Sequence, residues 1–208
     1  MSSAVIIATS YDTPCNYTFA WAMKLKDGLL KQGHSCVLIP GEGICAAGAT
    51  LSEAIDRSDF VVFLGHGTAN ELTRLPSRGA ISSLALIESQ TAHLFGGRPV
   101  YAGCCSSLGN PGVGLGSAYA NMYATGSYVG YEQKFIFEYE NESYFGEVVI
   151  ASIVEFVNGI TAKTVVQNLQ QEWINLKNRF YSGNLKNNRN ASQAGWNADW
   201  NSKYVGSK

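Results

Sequence analysis

The 208-residue sequence predicts an α/β protein: a mostly parallel central sheet with helices on both faces. Three observations predict it. Short apolar runs recur along the chain: AVIIA at 4–8, CVLIP at 36–40, FVVFLG at 60–65, PVYAGC at 99–104 and SYVGY at 127–131. Segments with apolar residues at helical spacing alternate with them. Strands buried on both faces read as continuous apolar runs, and parallel strands need helical crossovers between them. Finally, 46% hydrophobic and 15% charged residues support a packed core and exclude a disordered chain.

The elements follow in order. After the first strand, residues 17–32 (YTFAWAMKLKDGLLKQ) place Phe19, Ala22, Met23, Leu25, Leu29 and Leu30 at helical spacing, and Gly33 closes the segment. The second strand leads into a Gly-rich loop at 41–49. Thr50 or Ser52 then opens a brief helix, LSEAIDR, whose early Glu53 suits the helix dipole. The third strand ends in Gly65-His66-Gly67. A polar loop, TANELTRLPSRG, precedes a helix within residues 81–96 that stops at Gly96-Gly97. The fourth strand runs from Pro99 to Cys104. It is followed by a Gly- and Ser-rich loop, SSLGNPGVGLG, and a short helix, SAYANMYAT. A fifth strand at 127–131 precedes helices over 143–158 and 162–181, stopped by Gly159 and Gly183.

These elements make one domain over residues 1–183. From Asn184 the composition turns to Asn, Ser and Gly, which predicts a polar tail over 184–208 that is partly docked or flexible. Trp196 and Trp200, four residues apart, form an apolar pair suited to docking on the parent fold.

Charge and composition narrow the function. A net charge of −1 leaves no electrostatic footprint for nucleic acid or an acidic membrane. The start, MSSAVIIATS, has no basic region and too short an apolar run for a signal peptide, and no apolar stretch reaches the ~18 residues of a membrane span. The expectation is a cytoplasmic protein. The five cysteines, Cys15, Cys36, Cys45, Cys104 and Cys105, are odd in number and contain no CxxC pair. They read as free thiols, with no metal and no cofactor expected, and Cys36 reads as a core residue. The glycines at 112, 114 and 116 follow a Pro-containing loop rather than a strand, and no GK[ST] follows them. They therefore read as a substrate-binding or activation loop, not a phosphate loop.

The chemistry-bearing residues sit at strand ends. Ligands of open parallel sheets bind at the carboxyl ends of the strands. His66 lies just past the third strand, and Cys104 and Cys105 end the fourth. One crossover joins these strands, which makes them neighbours about 4.8 Å apart, with imidazole and thiol on one rim. A thiol needs deprotonation to become a nucleophile, and an imidazole can take its proton and return one to a leaving amine. Gly67 lets backbone approach a substrate carbonyl, and Gly103 removes bulk beside the nucleophile. His34, just after a helix end, suits a capping role, whereas His93, within a helix, is the rival base.

The blocks FVVFLGHG and PVYAGCCSS, with the downstream GSYVGYEQKFIFEY, resemble the caspase, legumain, gingipain and separase group of cysteine peptidases. The resemblance covers roughly residues 1–180. It implies a caspase-like three-layer sandwich and hydrolysis of peptide bonds through a thioester intermediate. It also implies an oxyanion hole formed by the N–H groups of Gly67 and the catalytic cysteine. Bacterial members of the group act in regulated proteolysis, cell suicide or antiphage defence. The sequence departs from the group at the nucleophile, where Gly-Cys-Cys-Ser-Ser offers two alignments. Cys105 is favoured because it lies nearer the loop, and Cys104 is the alternative. By the same resemblance, Asp12, Tyr131 and Glu132 occupy substrate-pocket positions. An acidic group there would favour Lys or Arg before the cut, although a solvated loop charge is the commoner role. A chain this short points to a homodimer or a regulatory partner chain. The alternatives to an endopeptidase are an inactive ligand-sensing or regulatory module of the same fold, or a thiol hydrolase of non-peptide acyl groups.

Overall fold

A computed structural model describes residues 1–40, 48–75, 84–109 and 112–208. The expected Gly-rich loop lies almost wholly outside the described residues. The central sheet has six strands: β1 (Ser3–Ala8), β2 (Ser35–Pro40), β3 (Phe60–Leu64), β7 (Val100–Gly103), β8 (Tyr128–Tyr131) and β9 (Val205–Ser207), in the order β2-β1-β3-β7-β8-β9. The first five in that order are parallel, and β9 runs antiparallel to β8. A second, antiparallel sheet joins β4 (His66–Gly67), β5 (Glu71–Leu75) and β6 (Leu84–Glu88).

Alternating residues of each central strand feed two cores, one on each side of the sheet. Ala4, Ile6 and Ala8 of β1 and Val62 and Leu64 of β3 face a core shared with α1 (Thr13–Lys31), α4 (Glu142–Val157), α5 (Ala162–Tyr181) and α6 (Ala191–Tyr204). Val5, Ile7, Val61 and Phe63 face the other, shared with α2 (Gly48–Asp56), α3 (Leu115–Met122) and a 3-10 helix at Ser89–Phe95. Burial on both sides is why these strands are continuous apolar runs.

The register fixes the rim on which the candidate site lies. Ala8 pairs with Leu64, and Leu64 pairs with Gly103, so β1, β3 and β7 end level. The segments after them therefore leave the sheet side by side. Asp12 caps α1, its side chain accepting the Cys15 N–H at 3.0 Å, and Pro14 occupies the first turn, where no N–H partner is needed. Gly33, at φ 86°, ends this helix and turns the chain into β2.

Several elements differ from expectation, among them β5, which forms within the expected polar loop TANELTRLPSRG. Residues 84–95 form β6 and a 3-10 helix rather than one α-helix. The run LALIE has good helix formers, but Ile87 pairs with Leu72 of β5 and both are fully buried, so tertiary pairing overrides local preference. The segment after Asn184 forms α6 and β9 within the domain. Its buried face is made of small and polar residues, Ala191, Ala194, Gly195, Ala198 and Asn201, which let α6 lie close against α5. A Cβ on Gly195 would stand 2.6 Å from the Tyr181 ring. An aliphatic count misses an interface built from absent side chains. No helix among the described residues is long and apolar enough to cross a membrane.

Candidate active site

His66 begins β4, directly beyond the end of β3, and Cys105 follows the end of β7. Both line one cleft of about 170 Å³, together with Pro14, Thr18 and the aromatic segment Phe135–Tyr139. The turn that presents Cys105 is tightly specified. Ser107, fully buried, donates to the Ala102 carbonyl at 2.9 Å, and its hydroxyl oxygen accepts the Tyr131 N–H of β8 at 3.1 Å. Gly130 must lack a side chain there, because a Cβ would sit 2.5 Å from the Ser107 hydroxyl. Ser106, the residue after Cys105, holds the left-handed conformation at φ 53°. A non-glycine residue in that region is strained, and such strain concentrates at functional sites.

The adjacent cysteines have different surroundings. Cys104 is fully buried and belongs to the α2–α3 core, and burial pushes its thiol well above the ordinary value. Its sulfur lies under β4, where a Cβ on Gly67 would approach it to 2.6 Å. Cys105 is half-buried and opens on the cleft. Burial also raises its thiol, nearby Lys134 pulls the other way, and the thiol donates to the Phe135 carbonyl at 3.5 Å.

Asp12 stands behind the imidazole. Its Oδ2 lies 2.9 Å from His66 Nε2, while Oδ1 caps α1. Partial burial raises its carboxyl, but the Cys15 N–H and the His66 bond outweigh that, leaving it below the ordinary carboxylate value. A carboxylate on Nε2 selects the tautomer with hydrogen there and leaves Nδ1 as the basic nitrogen. The Tyr11 ring lies 5.9 Å from the imidazole. Asp12 was expected as a pocket residue; its observed contact is with His66.

Other expected residues fall differently. Tyr131 cannot line a substrate pocket, because it is fully buried against Phe135 in the α1–α4 core. It is the last residue of β8, whose alternation turns it inward. Glu132 is exposed, but its side chain lies beside Gly206 of β9 and it is absent from the cleft lining. Gly67 sits opposite Leu72 in the β4–β5 ladder, next to the bond from Thr68 N–H to the Glu71 carbonyl. In an antiparallel ladder the residue beside a bonded pair turns its N–H outward, so Gly67 N–H points away from β5. His34 bonds the Ser2 N–H and Asn158, and His93 is exposed on the 3-10 helix and does not line the cleft. The loop after Cys105 is tied down where described: Ser106 N–H donates to Gln133, Leu108 N–H to Tyr131 and Leu115 N–H to Ala69.

The C-terminal segment holds the cleft wall. Asn201 of α6, fully buried, bonds both backbone groups of Ile136: its Oδ1 accepts the N–H at 3.2 Å and its Nδ2 donates to the carbonyl at 2.7 Å. Trp200 donates to the Lys134 carbonyl at 2.8 Å and packs on Tyr204 and Trp196, the last half-exposed. Asn190 and Asn188 bond Glu138 and Asn141 at the far end of the same segment. An Asn-rich stretch after a predicted domain end is the one signal that could have suggested this clamp.

Donor atoms of Asp12, Cys15 and His66 lie within 4.8 Å of one another, a spacing that could hold a metal ion. Hydrogen bonds account for their positions: Asp12 serves His66 and the helix cap, and the Cys15 sulfur accepts the Thr9 hydroxyl at 3.1 Å. The Cys15 thiol, buried beneath the cleft, is pushed up to about 12.

No protein-family model matches the chain. No curated protein matches it.

Proposed function

We propose that the protein is a cysteine peptidase of caspase-like architecture, with Cys105 as nucleophile, His66 as general base and acid, and Asp12 orienting His66. The observation that carries this reading is the shared cleft. It joins an accessible thiol and an imidazole on the level ends of neighbouring strands, while the adjacent Cys104 is sealed in the core. In the proposed reaction, Nδ1 of His66 takes the Cys105 proton as sulfur attacks the peptide carbonyl. The tetrahedral oxyanion is held by the outward N–H of Gly67 and that of Cys105. Collapse expels the amine, which leaves with the proton from His66. Water, deprotonated by the same imidazole, then hydrolyses the thioester and restores the thiol. Before substrate arrives, the raised thiol keeps Cys105 neutral, so the base has a proton to remove.

The test uses a peptidyl thiol-reactive probe and mass spectrometry of the labelled peptide. Wild type and Cys104→Ala should label at Cys105. His66→Ala should lose labelling by at least about 100-fold, the low end of general-base contributions. Label on Cys104, or equal labelling without His66, would overturn the assignment.

A further inference from the structure

The cleft beside the thiol has a composition that selects among peptide substrates. Its walls are Pro14, Phe135, Ile136, Phe137 and Tyr139, and among the described residues the ionisable side chains that line it are those of Cys15, His66, Cys105 and Tyr139. The surrounding acids are already engaged. Asp12 serves His66 and the helix cap, and Glu142 accepts the Trp21 indole N–H at 2.6 Å. Glu138 is bonded by Asn141 and Asn190, and Glu140 pairs with Arg189 at 3.1 Å. Lys134 is exposed and does not line the cleft.

The apolar wall is also braced. Phe137 packs on Trp21 at 4.9 Å and on Tyr139 at 5.6 Å, Tyr139 stacks on Tyr17 at 5.4 Å, and Asn201 pins Ile136 through its backbone. A cavity of about 150 Å³ lined by apolar side chains accommodates a benzene ring. The cleft, at about 170 Å³, matches one aromatic or branched aliphatic side chain. A charged side chain entering it would lose its water without gaining a partner.

We propose that this cleft receives the side chain of the residue whose carbonyl is attacked, and that the enzyme cleaves after uncharged apolar residues, aromatic or branched aliphatic, rather than after acidic or basic ones. This preference rests on the peptidase reading above and names its substrate class. It departs from the Lys or Arg preference that an acidic pocket would have produced, because neither Asp12 nor Glu132 offers a charge to the cleft.

The experiment compares peptidyl acyloxymethyl ketones that differ only at the residue beside the reactive group: Phe, Leu, Gly, Asp, Lys and Arg. Labelling rates of Cys105 are read by intact-protein mass spectrometry. Phe and Leu should exceed Asp, Lys and Arg by at least about 10-fold. Tyr139→Ala, at a half-exposed position, should narrow that gap. A charged probe that reacts as fast as Phe, or a gap indifferent to Tyr139→Ala, overturns the preference and leaves the peptidase reading standing. Reaction of Cys105 with iodoacetamide but with none of the peptidyl probes overturns the peptidase reading, and the preference with it.

Discussion

Cys104 and Cys105 are neighbours in sequence with opposite fates, because the turn after β7 sends one sulfur under β4 and the other into the cleft. Cys104→Ala should cost on the order of 1 kcal/mol through lost burial, a fall of about 2–4 °C in Tm, with labelling retained. Alkylation of Cys105 by iodoacetamide should rise through a pH above the ordinary thiol value of about 8.5, since burial disfavours the thiolate. Asp12→Asn separates capping from orientation. Asparagine caps a helix as well as aspartate, so the capping contribution should be retained. The tautomer preference of His66 is lost, so labelling by a peptidyl probe should fall at least about 10-fold. The carboxyl of Asp12 sits below its ordinary value, so its contribution to stability is present above about pH 3.9 and is lost as pH falls through the depressed value. The Tm of Asp12→Asn should therefore decline less steeply than wild type between pH 5 and 2.

At the scale of elements, the candidate site depends on β5 and α6, which carry none of its proposed chemistry. The β4–β5 pairing holds Gly67 over the Cys104 sulfur, and α6 holds the wall. Asn201→Ala removes both bonds to Ile136 and leaves buried backbone groups unpaired, at a cost of about 1–3 kcal/mol. The wall it frees should bind apolar probes more weakly, so the loss should appear in the probe concentration for half-maximal rate rather than in the maximal rate. Titrating the labelling rate against probe concentration checks this, and equal loss in both quantities would place Asn201 in a purely structural role. The strands and long helices were legible in the sequence because their periodicity is set by burial on two faces. The hairpin of β5 and β6 was not, since Leu72 and Ile87 become core residues only by facing each other.

At the scale of the whole molecule, residues 205–207 complete the central sheet. Val205 and Gly206 pair with Tyr131 and Gly130, covering the outer edge of β8, and α6 lies along α5. Ending the chain after Gly183 would expose that edge and the face of α5 that α6 covers, and open strand edges invite association. The 1–183 fragment should aggregate or lose cooperative unfolding, measured by size-exclusion chromatography and thermal circular dichroism. A monomeric fragment with wild-type Tm would show that the tail is dispensable.

By itself the sequence determined the α/β class, the order of the parallel strands' elements and the pairing of His66 with the double cysteine, because apolar runs and strand-end motifs are local patterns. Only the tertiary structure decided which thiol faces the cleft, that Asp12 bonds His66, that Tyr131 turns into the core and that the Asn-rich tail braces the wall. These are matters of which surfaces meet across 50 or more residues of chain, as between Asp12 and His66 or Ile136 and Asn201. No local pattern records such meetings, since close packing of distant segments sets them.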